Sequence, residues 1–360
     1  MKVAMVLPSL AGGGAQRVFL DVASGLLSRG VTVDIVAAHG DGPLRSDVPD
    51  GARLIALDVS RVALMLPPLV RYLRRARPDV VLSCLNHTNL VSIAAGRLTR
   101  PRTPVVITHH NHLSTSARHK VARRDRGMPV LLHFALPLAD RVVAVSRGVA
   151  DDLASTTGYP RSRIEVVYNP VIFDNLLAAS HETLEHPWLL QKEAPVVLAI
   201  GRLVEQKDFE TLIRAIALMP ECRLIILGEG ERRPMLERLV TELKLADRVD
   251  LPGFVSNPFP YFRAADTLAL SSRWEGLPTV LIEALPFDLS IVATDCHSGP
   301  REILEDGRWG RLVPVGDVAA LAGALTDAVT ERAQPRSEAC ARYDLAEVTE
   351  RYLDLLSANG

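Results

Sequence analysis

The chain has 360 residues, 48% of them hydrophobic and 23% charged, with a formal net charge of −1. That length exceeds what one hydrophobic core usually supports, so two domains of about 170 to 180 residues each are expected. No apolar run reaches the ~20 residues of a membrane-spanning helix, and Met1 leads directly into KVAMVL without a signal-peptide pattern. A cytoplasmic protein is therefore expected. Cys84, Cys222, Cys296 and Cys340 are scattered, with no C-x-x-C pair and no His/Cys ligand spacing, which argues against a zinc site or a disulfide framework. The small net charge hides a division: residues 1–180 hold 22 Lys and Arg against 13 Asp and Glu, and residues 181–360 hold 19 against 29. Such asymmetry points to an anionic partner for the first half.

In chain order, the apolar run Lys2–Leu7 reads as a buried strand, followed by Gly12-Gly13-Gly14 and a helix over 15–25. Further strands are expected at 31–37, 53–57, 80–83, 105–108, 141–145 and 164–167, with helical patterns between most of them. This alternation predicts a parallel, doubly wound sheet. The glycine loop permits close backbone approach to a phosphate or sugar, or simply turns the chain. It is not G-x-G-x-x-G, and no acidic residue closes the second strand, so a nicotinamide-dinucleotide site is disfavoured.

The fifth strand ends in His109 and His110, followed by Asn111 and His112. No carboxylate or cysteine stands nearby to complete a metal set, so a polar cleft wall is expected instead. Basic residues gather in 71–78, with Arg71, Arg74 and Arg75, and in 117–126, with Arg123 and Arg124. Beside them lies the apolar stretch RVALMLPPLV. This pairing suits an anionic membrane surface or an acceptor pyrophosphate, although an ordinary solvated face beside a core helix has the same composition. Nucleic acid is a poor partner, because aromatics are not interleaved with the basic clusters.

From 174 to 195 the periodicity lapses, which marks a domain boundary. The expected domains are 1–180 and 181–342, with 343–360 forming a C-terminal helix that can cross back to the first domain. A second β/α series starts at Val196 and continues through 223–227, 248–251, 267–271, 290–293 and 310–313. The expected architecture is therefore α/β, with two doubly wound Rossmann-like domains facing a cleft. Ligands in such sheets bind beyond the carboxyl ends of the strands.

In the second domain, Arg202 and Lys207 stand six positions apart on one loop, where a planar fork and a compact charge can clasp a diphosphate. Two ordinary surface cations would look the same. Gly228 and Gly230, and Gly253 with Phe254, follow strands and can offer backbone to a flat base or merely turn the chain. The stretch SSRWEGLPTVLIE places Glu275 before a helix and Glu283 on its second turn, with Gly276, Leu277, Pro278 and Thr279 between them. Unpaired amides at a helix start attract anions, so carboxylate, amides and carboxylate in sequence suit a nucleotide-sugar.

These motifs together resemble the retaining glycosyltransferases of family four, which have the GT-B fold. The resemblance spans nearly the whole chain: GGGAQRV, THHN, AVSRGVADDL, YNPV, HPWL, IGRLVEQKDFETLI, LGEGE, LPGFVSNP, SSRWEGLPTVLIEAL and ATDCHSGPREIL. It implies that Arg202 and Lys207 bind and stabilise the donor diphosphate, and that Glu275 holds hydroxyls of the transferred sugar. Glu283 would take the ribose hydroxyls, the amides of Gly276 to Thr279 would meet sugar and phosphate, and Gly253 and Phe254 would lie by the donor. Gly13 and Gly14 would close over the diphosphate, and His110 would approach the reacting sugar.

The family pattern implies no cofactor beyond a nucleotide-diphosphate sugar as co-substrate. No metal is expected, since the chain holds no Asp-x-Asp pair. The acceptor would be a glycan or polyprenyl-linked glycan, met in peripheral contact with the inner face of the plasma membrane. Cys296 to Pro300 is close to the version found in enzymes of lipid-linked surface polysaccharides. An epimerase or hydrolase on the same fold, or a non-catalytic sugar-binding protein, would share the same motifs. One departure lies after Glu283, where Pro286 should end the helix early and Asp288 stands in place of a left-handed glycine.

Overall fold

The computed structural model of the chain describes residues 1–360 apart from 12, 115–126, 174–175, 332–335 and 358–360. Gly12, Arg123, Arg124 and the basic segment around them therefore lie outside the described residues. The chain divides into two compact units, one of Met1–Val171 with Arg342–Gly360 and one of Ile172–Ala341.

The first unit holds a seven-stranded sheet built from β1 (Lys2–Leu7), β2 (Thr32–Ala37), β3 (Arg53–Ala56), β4 (Val80–Cys84), β5 (Val105–His109), β6 (Arg141–Ala144) and β7 (Ile164–Val166), in spatial order β3-β2-β1-β4-β5-β6-β7. Every pairing is parallel, from Lys2 opposite Thr32 to Ala144 opposite Val166. β1, β4 and β5 are mostly apolar and buried along almost their whole length because helices cover both faces of such a sheet. The core sets these strands against Phe19, Val22, Ala23 and Leu26 of the helix Gly14–Ser28, and against Val348, Tyr352, Leu355 and Leu356 of the C-terminal helix Leu345–Ser357.

The second unit repeats the scheme with six parallel strands: β8 (Val196–Ile200), β9 (Arg223–Leu227), β10 (Val249–Gly253), β11 (Thr267–Leu270), β12 (Ser290–Thr294) and β13 (Arg311–Val313). Their order is β10-β9-β8-β11-β12-β13. The winding direction reverses between β8 and β11, so the loops leaving these two neighbours turn to opposite sides and open a crevice at their carboxyl ends. The loops in question carry Arg202, Lys207 and Ser271 to Pro278.

Two expectations need adjustment. The units part at Val171, ahead of the expected 180, because the helix Leu176–Ala179 packs on the helix Phe259–Ala264 of the second unit and Asn257 Nδ2 donates to Ala179 O at 2.9 Å. Asp288 does not take the left-handed conformation that the glycine it replaces would permit. The helix Thr279–Ala284 does end ahead of Pro286, but the next residues are fixed by Phe287, buried and stacked on Phe262 with ring centroids 5.6 Å apart. Arg336 Nη1 donates to the carbonyls of Phe287 and Leu289, which holds this turn without a left-handed cap.

Gly25 explains itself only in the fold. A Cβ there would fall 2.0 Å from Thr349 Oγ1 of the C-terminal helix, so the glycine lets the two helices touch. Gly25→Val should force them apart and destabilise the first unit by about 1–3 kcal/mol. Urea denaturation checks this, and an unchanged midpoint would show that the helices do not need the close approach.

Candidate active site

The crevice of the second unit is built from three loops. The one leaving β8 runs through Gly201, Arg202 and Leu203 into the turn Glu205–Lys207 and the helix Phe209–Ala217. It is held from below by the loop leaving β9. Gly201 N donates to Leu227 O at 2.9 Å and Leu203 N to Glu229 O at 2.8 Å. A Cβ on Gly228 would fall 2.0 Å from Gly201 O, and one on Gly230 would fall 2.4 Å from Leu203 O. These two glycines, read in the sequence as offering backbone to a base or turning the chain, let one loop lie directly on the other.

The third loop, leaving β11, brings Glu275 to Lys207. Lys207 Nζ lies 2.6 Å from Glu275 Oε1, Ser272 Oγ donates to the same oxygen at 2.7 Å, and Gln206 Nε2 reaches Oε2 at 3.3 Å. Glu275 is only 7% exposed, and the Lys207 side chain is also largely covered. The carboxylate is thus a buried charge with three donors, as burial requires.

Further bonds lock the two loops in register. Arg273 N donates to Gln206 O, Gln206 Nε2 to Trp274 O and Ser271 Oγ to Lys207 O, each at 2.8 Å. Arg273 Nη2 meets Asp208 Oδ1 at 3.0 Å, and Thr294 Oγ1 donates to Ser272 O at 2.6 Å.

Lys207 was expected on a diphosphate and Glu275 on a sugar; the structure places them on each other. Arg202 is exposed at the end of β8. Glu283 is half-buried on the second turn of the helix Thr279–Ala284. Of the amides expected between Gly276 and Thr279, Pro278 supplies none. Leu277 and Pro278 are buried, and Ser298 Oγ donates to Gly276 O at 2.7 Å, so this turn is anchored by packing on one side and by the loop leaving β12 on the other. Gly253 is buried at the end of the edge strand β10, with its carbonyl accepting from Gly228 N at 2.8 Å, whereas Phe254 is 76% exposed.

The remaining expected residues belong to the first unit. Gly13 precedes the helix Gly14–Ser28 at φ +150, and both glycines are exposed. His110 is buried just beyond β5, with Nε2 at 3.0 Å from Thr108 Oγ1, which itself donates to Ser83 O. Burial pulls His110 down to about 4; burial, aided by the neighbouring His110, pulls His109 down to about 3. Both imidazoles are therefore neutral near pH 7. His112 pins its loop instead, with Nδ1 at 3.4 Å from Asp152 Oδ1. Arg71, Arg74 and Arg75 are exposed on the helix Leu66–Ala76.

Sequence reasoning passed over Ser272, Gln206, Asp208 and Thr294. A signal existed for Ser272, which stands three residues before Glu275, a spacing at which a hydroxyl reaches a side chain one turn on. Nothing in the sequence marked the others.

Residues 12–174 match the model of Glycosyltransferase Family 4, and residues 180–344 match that of Glycosyl transferases group 1. The lipopolysaccharide core biosynthesis glycosyltransferase LpsE of Rhizobium meliloti is 28% identical over 357 residues, covering 96% of each chain. The Campylobacter jejuni N-acetylgalactosamine-N,N'-diacetylbacillosaminyl-diphospho-undecaprenol 4-alpha-N-acetylgalactosaminyltransferase is 28% identical over 375 residues, covering 98% of this chain and 99% of its own. Among solved structures, Anabaena Alr3699/HepE in complex with UDP superposes with a TM-score of 0.81 at 22% identity, covering 99% of this chain and 100% of that one. With both family models matched in order on two parallel α/β sheets, the chain belongs to the GT-B glycosyltransferases, a Glycosyltransferase Family 4 domain followed by a group 1 domain.

Proposed function

We propose that this glycosyltransferase moves a hexose or N-acetylhexosamine from a nucleotide-diphosphate sugar to a lipid-linked glycan, with retention and without a metal, in lipopolysaccharide or surface-polysaccharide synthesis. The observation that carries the proposal is the joining of Lys207 and Glu275 at the β8/β11 crevice, a cation for phosphate beside a carboxylate for hydroxyls. Rupture of the bond between the anomeric carbon and the phosphate oxygen leaves positive charge on the sugar and an electron pair on the departing diphosphate. Arg202 and Lys207 stabilise that negative charge as it forms. An acceptor hydroxyl attacks from the face the diphosphate leaves, and its proton passes to the departing phosphate.

Glu275 accepts hydrogen bonds from hydroxyls of the transferred sugar, and Glu283 from those of the ribose. Gly276 and Thr279 offer amides, Gly13 and Gly14 approach the diphosphate, and Gly253 and Phe254 flank the nucleotide end. His110 meets the sugar as a neutral imidazole. Metal independence is supported by the two cations on one loop and by a sequence with no Asp-x-Asp pair. The relatives support the acceptor class, since one is named for lipopolysaccharide core synthesis and another for a diphospho-undecaprenol glycan.

Membrane contact on the cytoplasmic face has support in the first unit. Val130, Leu131, Phe134 and Leu138 are exposed on and just after the helix Met128–Ala135, and Leu98 ends the neighbouring helix Asn86–Leu98. Arg74 Nη2 donates to Leu98 O at 3.0 Å and Arg97 Nη2 to Leu138 O at 2.8 Å, so cations and apolar side chains share one surface with Arg71 and Arg75. That mixture suits an anionic leaflet. No described helix is long and apolar enough to cross a membrane.

Two experiments test these assignments. Lys207→Met should lower kcat by about 100- to 1000-fold, the usual loss of one group that stabilises a developing anion. Assay against a glycolipid acceptor checks this, and full activity in the folded variant would refute the role. Leu131→Asp combined with Phe134→Asp should abolish co-sedimentation with phosphatidylglycerol vesicles at low salt; undiminished binding would move the membrane contact elsewhere.

A further inference from the structure

We propose that Ser272 and Gln206 are positioning residues that keep the Glu275 carboxylate in place when a donor diphosphate draws Lys207 away from it. The inference rests on the proposed glycosyl transfer, and it assigns residues that no part of that proposal uses.

Donor binding sets two negative groups in competition for Lys207. One ammonium cannot fully serve a buried carboxylate and a diphosphate together, and the diphosphate carries the greater negative charge. Lys207 is a compact charge on a flexible stem, with three donors that can be redirected by rotation about that stem. Once it turns, Glu275 keeps its burial and loses its counter-charge. An uncompensated buried carboxylate is strongly unfavourable, and the group would protonate or swing out unless other donors hold it.

Two other donors are already present, and neither depends on Lys207. Ser272 is fully buried; its hydroxyl donates to Glu275 Oε1 at 2.7 Å, while its carbonyl is fixed by Thr294 Oγ1 at 2.6 Å. Thr294 ends β12, so this support is anchored in the sheet. Gln206 spends the two hydrogens of Nε2 on Trp274 O at 2.8 Å and Glu275 Oε2 at 3.3 Å, and its own carbonyl accepts from Arg273 N. One donor therefore serves each carboxylate oxygen. A carboxylate has about four acceptor positions, two on each oxygen, so Oε2 retains one for a sugar hydroxyl, and the position Lys207 leaves on Oε1 becomes a second at the moment the diphosphate arrives. Exchange of the ion pair thus couples phosphate binding to exposure of the sugar-binding carboxylate.

The first test needs no substrate. Lys207→Met imitates the withdrawn ammonium. In that background Ser272→Ala should lower Tm by roughly twice as much as in the wild-type background, because contacting residues are not additive. Equal shifts in the two backgrounds would overturn the proposal and reduce Ser272 to a structural hydroxyl.

The second test is kinetic. Ser272→Ala and Gln206→Leu should each lower kcat by about tenfold to a hundredfold, the worth of a hydrogen bond to a charged group, with little change in KM for the donor. Ser272→Thr, which restores the hydroxyl, should recover most of the rate. Transfer that is lost in Lys207→Met but unaffected in both Ser272→Ala and Gln206→Leu overturns the positioning roles alone. Transfer that survives in Lys207→Met as well refutes the role given to Lys207 in the proposed function, and overturns this inference with it.

Discussion

Lys207 and Glu275 stand 68 positions apart in the chain and 2.6 Å apart in space, and the design of the second unit converges on that contact. The distance is closed by topology. β8 and β11 are neighbours although two strands separate them in sequence, because the chain winds outward through β9 and β10 and then returns to the other side of β8. Two loops that leave adjacent parallel strands at a reversal of winding start side by side at the carboxyl ends and line the two sides of one crevice. One bears a lysine and the other a glutamate, and burial makes their pairing obligatory.

The pair is precise because the loops themselves are locked. Gly228 and Gly230 let the loop of β9 lie against the backbone of Gly201 and Leu203, where any side chain would collide. Arg273 joins the β11 loop to Asp208 and to the Gln206 carbonyl. Thr294 attaches Ser272 to β12. Both members of the pair are thus carried on loops whose backbones are held in place by other loops and by the sheet, which is how a site on loops acquires rigidity. Neutral, buried His110 in the first unit follows a different rule, since its lack of charge suits it to hydrogen bonding and not to charge stabilisation.

Much of this was legible in the sequence. The thirteen strands among the described residues all overlap runs that apolar pattern and turn residues marked, with β4, β5, β10 and β12 running one or two residues past the expected ends, and Pro286 correctly announced the end of the helix that carries Glu283. The packing of Gly228 and Gly230 on the neighbouring loop was not legible, because a glycine after a strand looks the same whether it offers backbone to a ligand, turns the chain or admits another backbone. At Asp288 the sequence showed only that a glycine cap was replaced and that the turn must adjust locally; how it adjusts is set by Phe287 on Phe262 and by Arg336, contacts that join positions far apart in the chain.

By itself the sequence determined the class of fold, the division into two domains and the position of the loops at the strand ends, since periodicity, turn residues and short motifs act over a few neighbouring positions. Tertiary structure decided what those loops do to each other: that Lys207 rests on Glu275, that Ser272 and Gln206 share its carboxylate, and that the final helix completes the first unit's core through Val348 and Tyr352. Such pairings are fixed by burial and by the three-dimensional path of the chain. Local composition carries no record of either.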